Sequence, residues 1–323
     1  MLDGQVHYCC DMGAERLRQA AAASGLDAMA LQCIPKAGRP TEQDALAFAR
    51  ESTIPVYVFG GIDPAVYAKT GEELTSALLC ALDRLDELGC TGLKMLEGKP
   101  DVRYRHPMPD FDNRVWEPFW ARLEHEQRPV VMHLCDPAEF WDESRITPYA
   151  REAGWFYDKR YPTREGLYAQ MLRVLSRHGR LRILFPHMMF VGGELGRLDG
   201  ILSLYPHVYT DTTPALEQLI ALGRQPGAAR MFFLKWRCRI CYGTDIGSRQ
   251  IVPEEALPLN LTESSTRVSC VRRLLEEKGE FDILPGGDFV REKTPVHVHG
   301  LGLEDDVLRL IYEDNFRTFA KIG

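Results

Sequence analysis

Apolar residues fall along this chain in two alternating rhythms. Runs of five to seven residues, rich in Val, Ile, Leu and Phe, occur at 2–8, 28–34, 55–60, 92–96, 129–134, 181–187, 207–212 and 239–244. Their length and composition predict short buried strands. Between them the apolar residues recur at helical period, over 14–24, 43–50, 72–88, 115–127, 164–177, 194–204 and 213–236, the last broken at Gln225-Pro226-Gly227. Thr163 and Thr213 stand where capping hydroxyls belong, and a final helix is expected over 304–321.

Eight strand–helix alternations predict an α/β fold, a (β/α)8 barrel forming one domain over 1–323. A doubly wound open sheet uses the same units, so periodicity alone leaves both architectures open. Two long connections follow strands, 135–162 after the fifth and 246–266 after the eighth. In a barrel both would overhang the mouth, and the aromatics of the first suit a lid.

The strand ends carry the chemistry. His7 closes the first strand with Gln5 two residues earlier on the same face, His133 closes V-V-M-H, His187 closes I-L-F-P-H, and Asp245 follows the eighth strand in Y-G-T-D-I-G. Histidines and a carboxylate at strand ends, far apart in sequence, are what a metal site at a barrel mouth requires. Blander roles remain open: a polar fixture for His7, satisfied core histidines at 133 and 187, a turn cap for Asp245. Lys94, on the fourth strand, could carry charge to a substrate, pair with a carboxylate, or be carbamylated to bridge metals. Glu97, Lys99, Arg103 and Arg105 follow that strand. The cations among them suit a carboxylate clamp, and Trp141, Trp155 and Tyr157 could stack over an unsaturated ring.

Composition narrows the field. A net charge of -7 without a dense basic cluster argues against nucleic acid as a partner. Nine cysteines in scattered positions suggest a reduced, cytoplasmic chain. Cys238 and Cys241 have a redox or zinc spacing, yet they approach a strand that would face them oppositely, and the adjacent Cys9 and Cys10 have no second pair. No membrane span or signal peptide is indicated.

The order of V-H-Y, His133, His187 and G-T-D245, with the closing I-Y-E-D-N-F at 311–316, resembles the amidohydrolase superfamily. The similarity is to its amidohydrolase-related branch, which contains aminocarboxymuconate-semialdehyde and γ-resorcylate decarboxylases. G-L-K-M-L-E-G-K-P (92–100), H-L-C-D-P-A-E-F-W-D (133–142) and G-W-F-Y (154–157) look like an uncharacterised subgroup of that branch. The resemblance implies a (β/α)8 barrel, a homodimer, and one divalent metal, zinc with manganese or iron as alternatives, held by Gln5, His7, His133, His187 and Asp245. Glutamine departs from the family's His-x-His and is the weaker ligand. The main reading is a metal-dependent hydrolase of a small carboxylate-bearing substrate, in which Asp245 takes a proton from metal-bound water, with His187 and Lys94 assisting. The alternatives are a nonoxidative decarboxylase, and a metal-poor barrel that binds a metabolite or a protein.

Overall fold

The computed structural model describes residues 1–9, 13–247, 261–283 and 296–323. Cys10 and most of the connection after Asp245, residues 248–260, lie outside the described residues. Eight strands form one sheet in sequence order: β1 (Leu2–Tyr8), β2 (Ala28–Cys33), β3 (Val56–Gly61), β4 (Gly92–Gly98), β5 (Val130–Leu134), β6 (Ile183–Phe185), β7 (Val208–Asp211) and β8 (Ile240–Cys241). Every neighbouring pair is parallel. The sheet curls until its ends meet: Gly4 N donates to Tyr242 O at 2.9 Å, Asp245 N to Gln5 O at 3.0 Å and His7 N to Ile246 O at 2.8 Å. These bonds leave no open edge, and the fold is the (β/α)8 barrel rather than the open sheet.

The helices are α1 (Ala14–Ala23), α2 (Glu42–Glu51), α3 (Gly71–Leu88), α4 (Pro100–Arg105), α5 (Glu117–Glu126), α6 (Pro148–Glu152), α7 (Arg164–Arg177), α8 (Leu195–Leu204), α9 (Leu216–Gly223) and α10 (Pro226–Lys235), and all but the short α4 and α6, which lie in connections after β4 and β5, follow the expected periods. Thr163 caps α7 by accepting from Gly166 N at 3.1 Å. Thr213 is no cap. It precedes Pro214, which disfavours helical backbone there, and α9 starts three residues later. Two strands are shorter than expected for local reasons. β6 stops before Pro186, which has no amide to give, and after β8 the Tyr242 amide turns to Ile311 O at 2.9 Å. The sequence pattern also missed α11 (Leu261–Glu276) and an antiparallel pair, β9 (Lys278–Ile283) with β10 (Val296–Leu301). The chain closes through α12 (Asp305–Arg309), a π-turn and α13 (Asn315–Ala320).

Leu2, Ala28, Ala30, Phe59, Val131, Leu184, Tyr209 and Cys241 come from seven strands and can meet only inside the barrel, where Phe316 and Phe319 of α13 plug the floor beside them. A larger core lies between the strands and the helices. The pairing of β1 with β2 slips between Asp3 and Val6. That bulge reverses the alternation: Leu2 faces inward below it, whereas Val6 packs outward above it, leaving Gln5 and His7 on the inner side. The lid segment 135–162 is itself packed, with Phe140, Ile146, Ala150 and Tyr157 joined by Trp141, Trp155, Phe156 and Tyr161. Among the described residues no helix is long and apolar enough to cross a membrane.

A buried carboxylate secures the seam. Asp3 accepts from Thr244 Oγ1, from Thr244 N at 3.2 Å and from Gln5 N at 2.9 Å. Burial pushes its carboxyl up to about 7, against those hydrogen bonds, which act to lower it. The folded chain therefore holds a proton there that the unfolded chain releases near pH 4, so this contribution to stability is complete at low pH and is lost as pH rises through about 7. In Asp3→Asn that dependence should vanish. The melting temperature of the variant relative to wild type is expected to rise by about 2 °C or more between pH 5 and pH 8 in calorimetry. An unchanged difference would show that Asp3 is not the titrating group.

Candidate active site at the barrel mouth

Strand ends place the polar groups. Gln5 and His7 come from β1, Lys94 and Glu97 from β4, His133 from β5, Asp211 from β7, while His187 and Asp245 begin the loops after β6 and β8. Gln5, His7, Lys94 and His133 are almost fully buried. His7 Nε2 lies 2.9 Å from Asp245 Oδ1 and 3.0 Å from the Gln5 amide nitrogen. The other Asp245 oxygen accepts from Arg267 Nη1 at 3.1 Å, and Arg267 is also bound to Glu263 at 3.1 Å. His133 Nε2 meets Asp136 Oδ1 at 3.1 Å, and Asp136 Oδ2 accepts from Lys99 Nζ at 2.7 Å and from the Tyr157 hydroxyl at 2.5 Å.

Backbone geometry aims two of these groups. His187, Met188, Met189 and Phe190 all have positive φ, between 51° and 58°, and Asp245 has φ 61°. Such backbone costs a non-glycine residue about 1–3 kcal/mol and persists only when the surroundings impose it. Here His187 N is held by Asp211 Oδ1 at 2.9 Å, and the Tyr168 hydroxyl holds Met189 O. The left-handed turn brings the His187 ring to 5.2 Å from the His133 ring at 70°, with Phe190 stacked on His187 at 4.6 Å. Gly247, at φ 110°, lets the loop after β8 cross β1, since a Cβ there would stand 2.1 Å from His7 O.

Burial lowers the basicity of all three imidazoles, most strongly at His187, so they stand neutral at neutral pH. Desolvation acts to raise the Asp245 carboxyl, but His7, Arg267 and His187 outweigh it and hold it below the ordinary range. Asp136 is held low in the same way, by Lys99 and His133 against burial. Burial brings the Lys94 ammonium down to about 8, against the attraction of Asp245, Asp211 and Glu97. Its Nζ has no hydrogen-bond partner among the described residues. The site therefore presents neutral imidazoles, a fixed carboxylate and one unpaired cation.

Other predicted binding residues are distributed around this centre. Glu97 accepts from the Tyr67 hydroxyl at 2.7 Å. Lys99 lies over the Trp155 ring at 4.5 Å, beneath the lid. Arg103 turns to Pro109 O at 3.0 Å and covers Phe111, and Trp141 donates to Pro162 O at 3.1 Å within the lid. Arg105 pairs with Asp101 at 3.0 Å at the rim of a cavity of about 670 Å³ that Lys94 and Glu97 also line. Cys241 is buried and Cys238 exposed, both as free thiols. Asp136, Asp211, Tyr67 and Arg267 were not anticipated. Asp211 ends a strand as Asp245 nearly does and was detectable by the same rule, whereas nothing local marks Arg267.

The ligand set implied for a divalent metal does not fit one in this arrangement. Among the described residues no three His, Cys, Asp or Glu side chains form a group that could hold a metal ion. His133 Nε2 is engaged by Asp136 and one Asp245 oxygen by Arg267, while the position next to His7 offers only an amide.

The family model described as amidohydrolase matches residues 68–315. No curated protein matches the chain in sequence. Among solved structures, an uncharacterized TIM-barrel protein from Bordetella bronchiseptica is 15% identical with a TM-score of 0.58, over 99% of this chain and 98% of that one. The 2,6-dihydroxybenzoate decarboxylase from Rhizobium is 14% identical with a TM-score of 0.50 over 99% and 98%. The 5-carboxyvanillate decarboxylase from Novosphingobium aromaticivorans, solved with bound manganese and 3-methoxy-4-hydroxy-5-nitrobenzoic acid, is 11% identical with a TM-score of 0.55 over 99% and 97%. At these identities the likeness is one of fold.

The Asp136 network yields a stability test. Asp136→Ala strands the Lys99 ammonium in the interior, and a loss of about 3–5 kcal/mol is expected in urea unfolding. A loss below about 1 kcal/mol would mean that Lys99 reaches solvent without Asp136.

Proposed function

The chain belongs to the amidohydrolase family, and on that footing we propose that it is a nonoxidative decarboxylase of a small carboxylate-bearing compound. The observation that carries this reading is the buried, unpaired Lys94 ammonium set among neutral imidazoles and beside the Asp245 carboxylate. Full-length likeness to barrels that are themselves decarboxylases supports it.

Decarboxylation needs a cation to seat the departing carboxylate, a substrate that can delocalise the electron pair left on carbon, and an acid to protonate that carbon. Lys94 meets the first and third needs. While the carboxylate is attached its ammonium pairs with an oxygen. Once CO2 has left, the same N–H faces the carbon that carries the pair. Asp245, fixed by His7 and Arg267, holds a negative charge near Lys94 and keeps it protonated. His133 and His187, neutral and packed together, wall the site against water and offer polar edges to a hydroxyl or carbonyl of the substrate. The lid residues Trp155 and Tyr157, with Lys99, stand above His133 and would cover a planar ligand. A metal bound at such a mouth would supply Lewis-acid charge to the substrate.

The test is release of CO2 from a panel of hydroxybenzoates and 3-oxo acids, run in 18O-labelled water. CO2 without label in the organic product supports the lyase, whereas label in the product without CO2 would establish hydrolysis instead. Lys94→Met is expected to lower kcat by about 10²-fold or more, and the wild-type rate should fall as pH rises through about 8, where the ammonium gives up its proton. Asp245→Asn should cost a similar factor with the circular dichroism spectrum retained. Wild-type turnover in either variant would remove that residue from the mechanism.

A further inference from the structure

Among the described residues, several buried charges are compensated by direct ionic partners. Lys99 meets Asp136 at 2.7 Å, Glu42 meets Arg84 at 2.9 Å, and Arg267 meets both Asp245 and Glu263. Lys94 is 2% exposed and its Nζ has no hydrogen-bond partner among the described residues. An ammonium has three donors and no acceptor, so its complement is an anion.

Lys94 lines the cavity of about 670 Å³, whose wall also carries Lys36, Arg39, Arg105 paired with Asp101, and Glu97 bonded to Tyr67. Lysine and arginine side chains along such a wall favour entry of an anion. Some of the atoms that a dication would need are meanwhile engaged by protein groups, one Asp245 oxygen by Arg267 and His133 Nε2 by Asp136, and position 5 offers an amide in place of an imidazole. A dication placed here would also sit beside the Lys94 and Arg267 charges.

We infer that Lys94, in place of a divalent cation, is the positive charge on which this barrel seats the carboxylate of its ligand. The inference rests on the carboxylate-substrate reading above but makes a claim that does not require turnover. The amide at position 5 weakens the donor set toward metal, and the ammonium at position 94 supplies a fixed positive charge in its place.

The experiment uses full-length protein dialysed against chelator and then offered zinc, manganese or iron(II). Metal per chain is read by mass spectrometry after desalting, and binding of salicylate is read from its fluorescence. Wild type is expected to retain less than about one tenth of a metal per chain and to bind salicylate equally with and without added metal. Lys94→Met is expected to weaken salicylate at least tenfold, with Lys94→Arg restoring part of the loss and near-ultraviolet circular dichroism unchanged in both. One metal per chain in wild type, no salicylate binding without metal, or unchanged affinity in Lys94→Met would each overturn the inference. If salicylate binds on Lys94 as described but no CO2 is released from any substrate, the decarboxylase reading alone fails.

Discussion

The site depends on the seam where β8 meets β1. Three backbone bonds join them, Gly4 to Tyr242, Asp245 to Gln5 and His7 to Ile246, and the Asp3 carboxylate ties both strands together through Thr244, 241 residues away in sequence. Closing a barrel removes its last exposed edge, so these bonds complete the sheet as well as decorate it. They also fix the reactive geometry. His7 and Asp245 stand 2.9 Å apart because their backbones are bonded to each other's strands. The crossing is close enough to demand glycine at 247 and a left-handed backbone at Asp245.

Electrostatics then separates the structural part of the mouth from the reactive part. On one side Asp136 collects His133, Lys99 and Tyr157, and so links β5, the loop after β4 and the lid. Hydrogen bonds that share one buried carboxylate hold these groups in place. On the other side the Asp245–His7–Arg267 chain encloses a fixed negative charge, and Lys94 beside it has no hydrogen-bond partner among the described residues. The contrast is informative because the two lysines are only five positions apart, and both are buried. One is part of the framework. The other has no such carboxylate bonded to it among the described residues.

The barrel explains where such a centre can be built but not which reaction it runs. Relatives of the same shape include decarboxylases, and one of them was solved with manganese bound. This chain has histidines and an aspartate at its strand ends, with glutamine at position 5 and with His133 Nε2 and one Asp245 oxygen bound to protein partners. The cavity that Lys94 and Glu97 line and the packed segment 135–162 are further features of this chain.

Much of this was legible in one dimension. Strands and helices announce themselves by local period, so the eightfold alternation, the strand-end residues His7, His133, His187 and Asp245, and the position of Lys94 could be read before any contact was known. Other features are relations between distant segments, which leave no local trace. The bulge in β1 that turns Gln5 and His7 inward depends on pairing with β2, Arg267 reaches Asp245 from a helix with no distinguishing pattern, and Thr213 fails as a cap because the chain bends at Pro214 toward β7's Asp211. The decisive difference between Lys94 and Lys99 is of the same kind. Sequence determined that both lysines follow one another at the fourth strand; only the fold decided which would find a carboxylate, because burial and pairing are properties of what packs around a side chain and not of its neighbours along the chain.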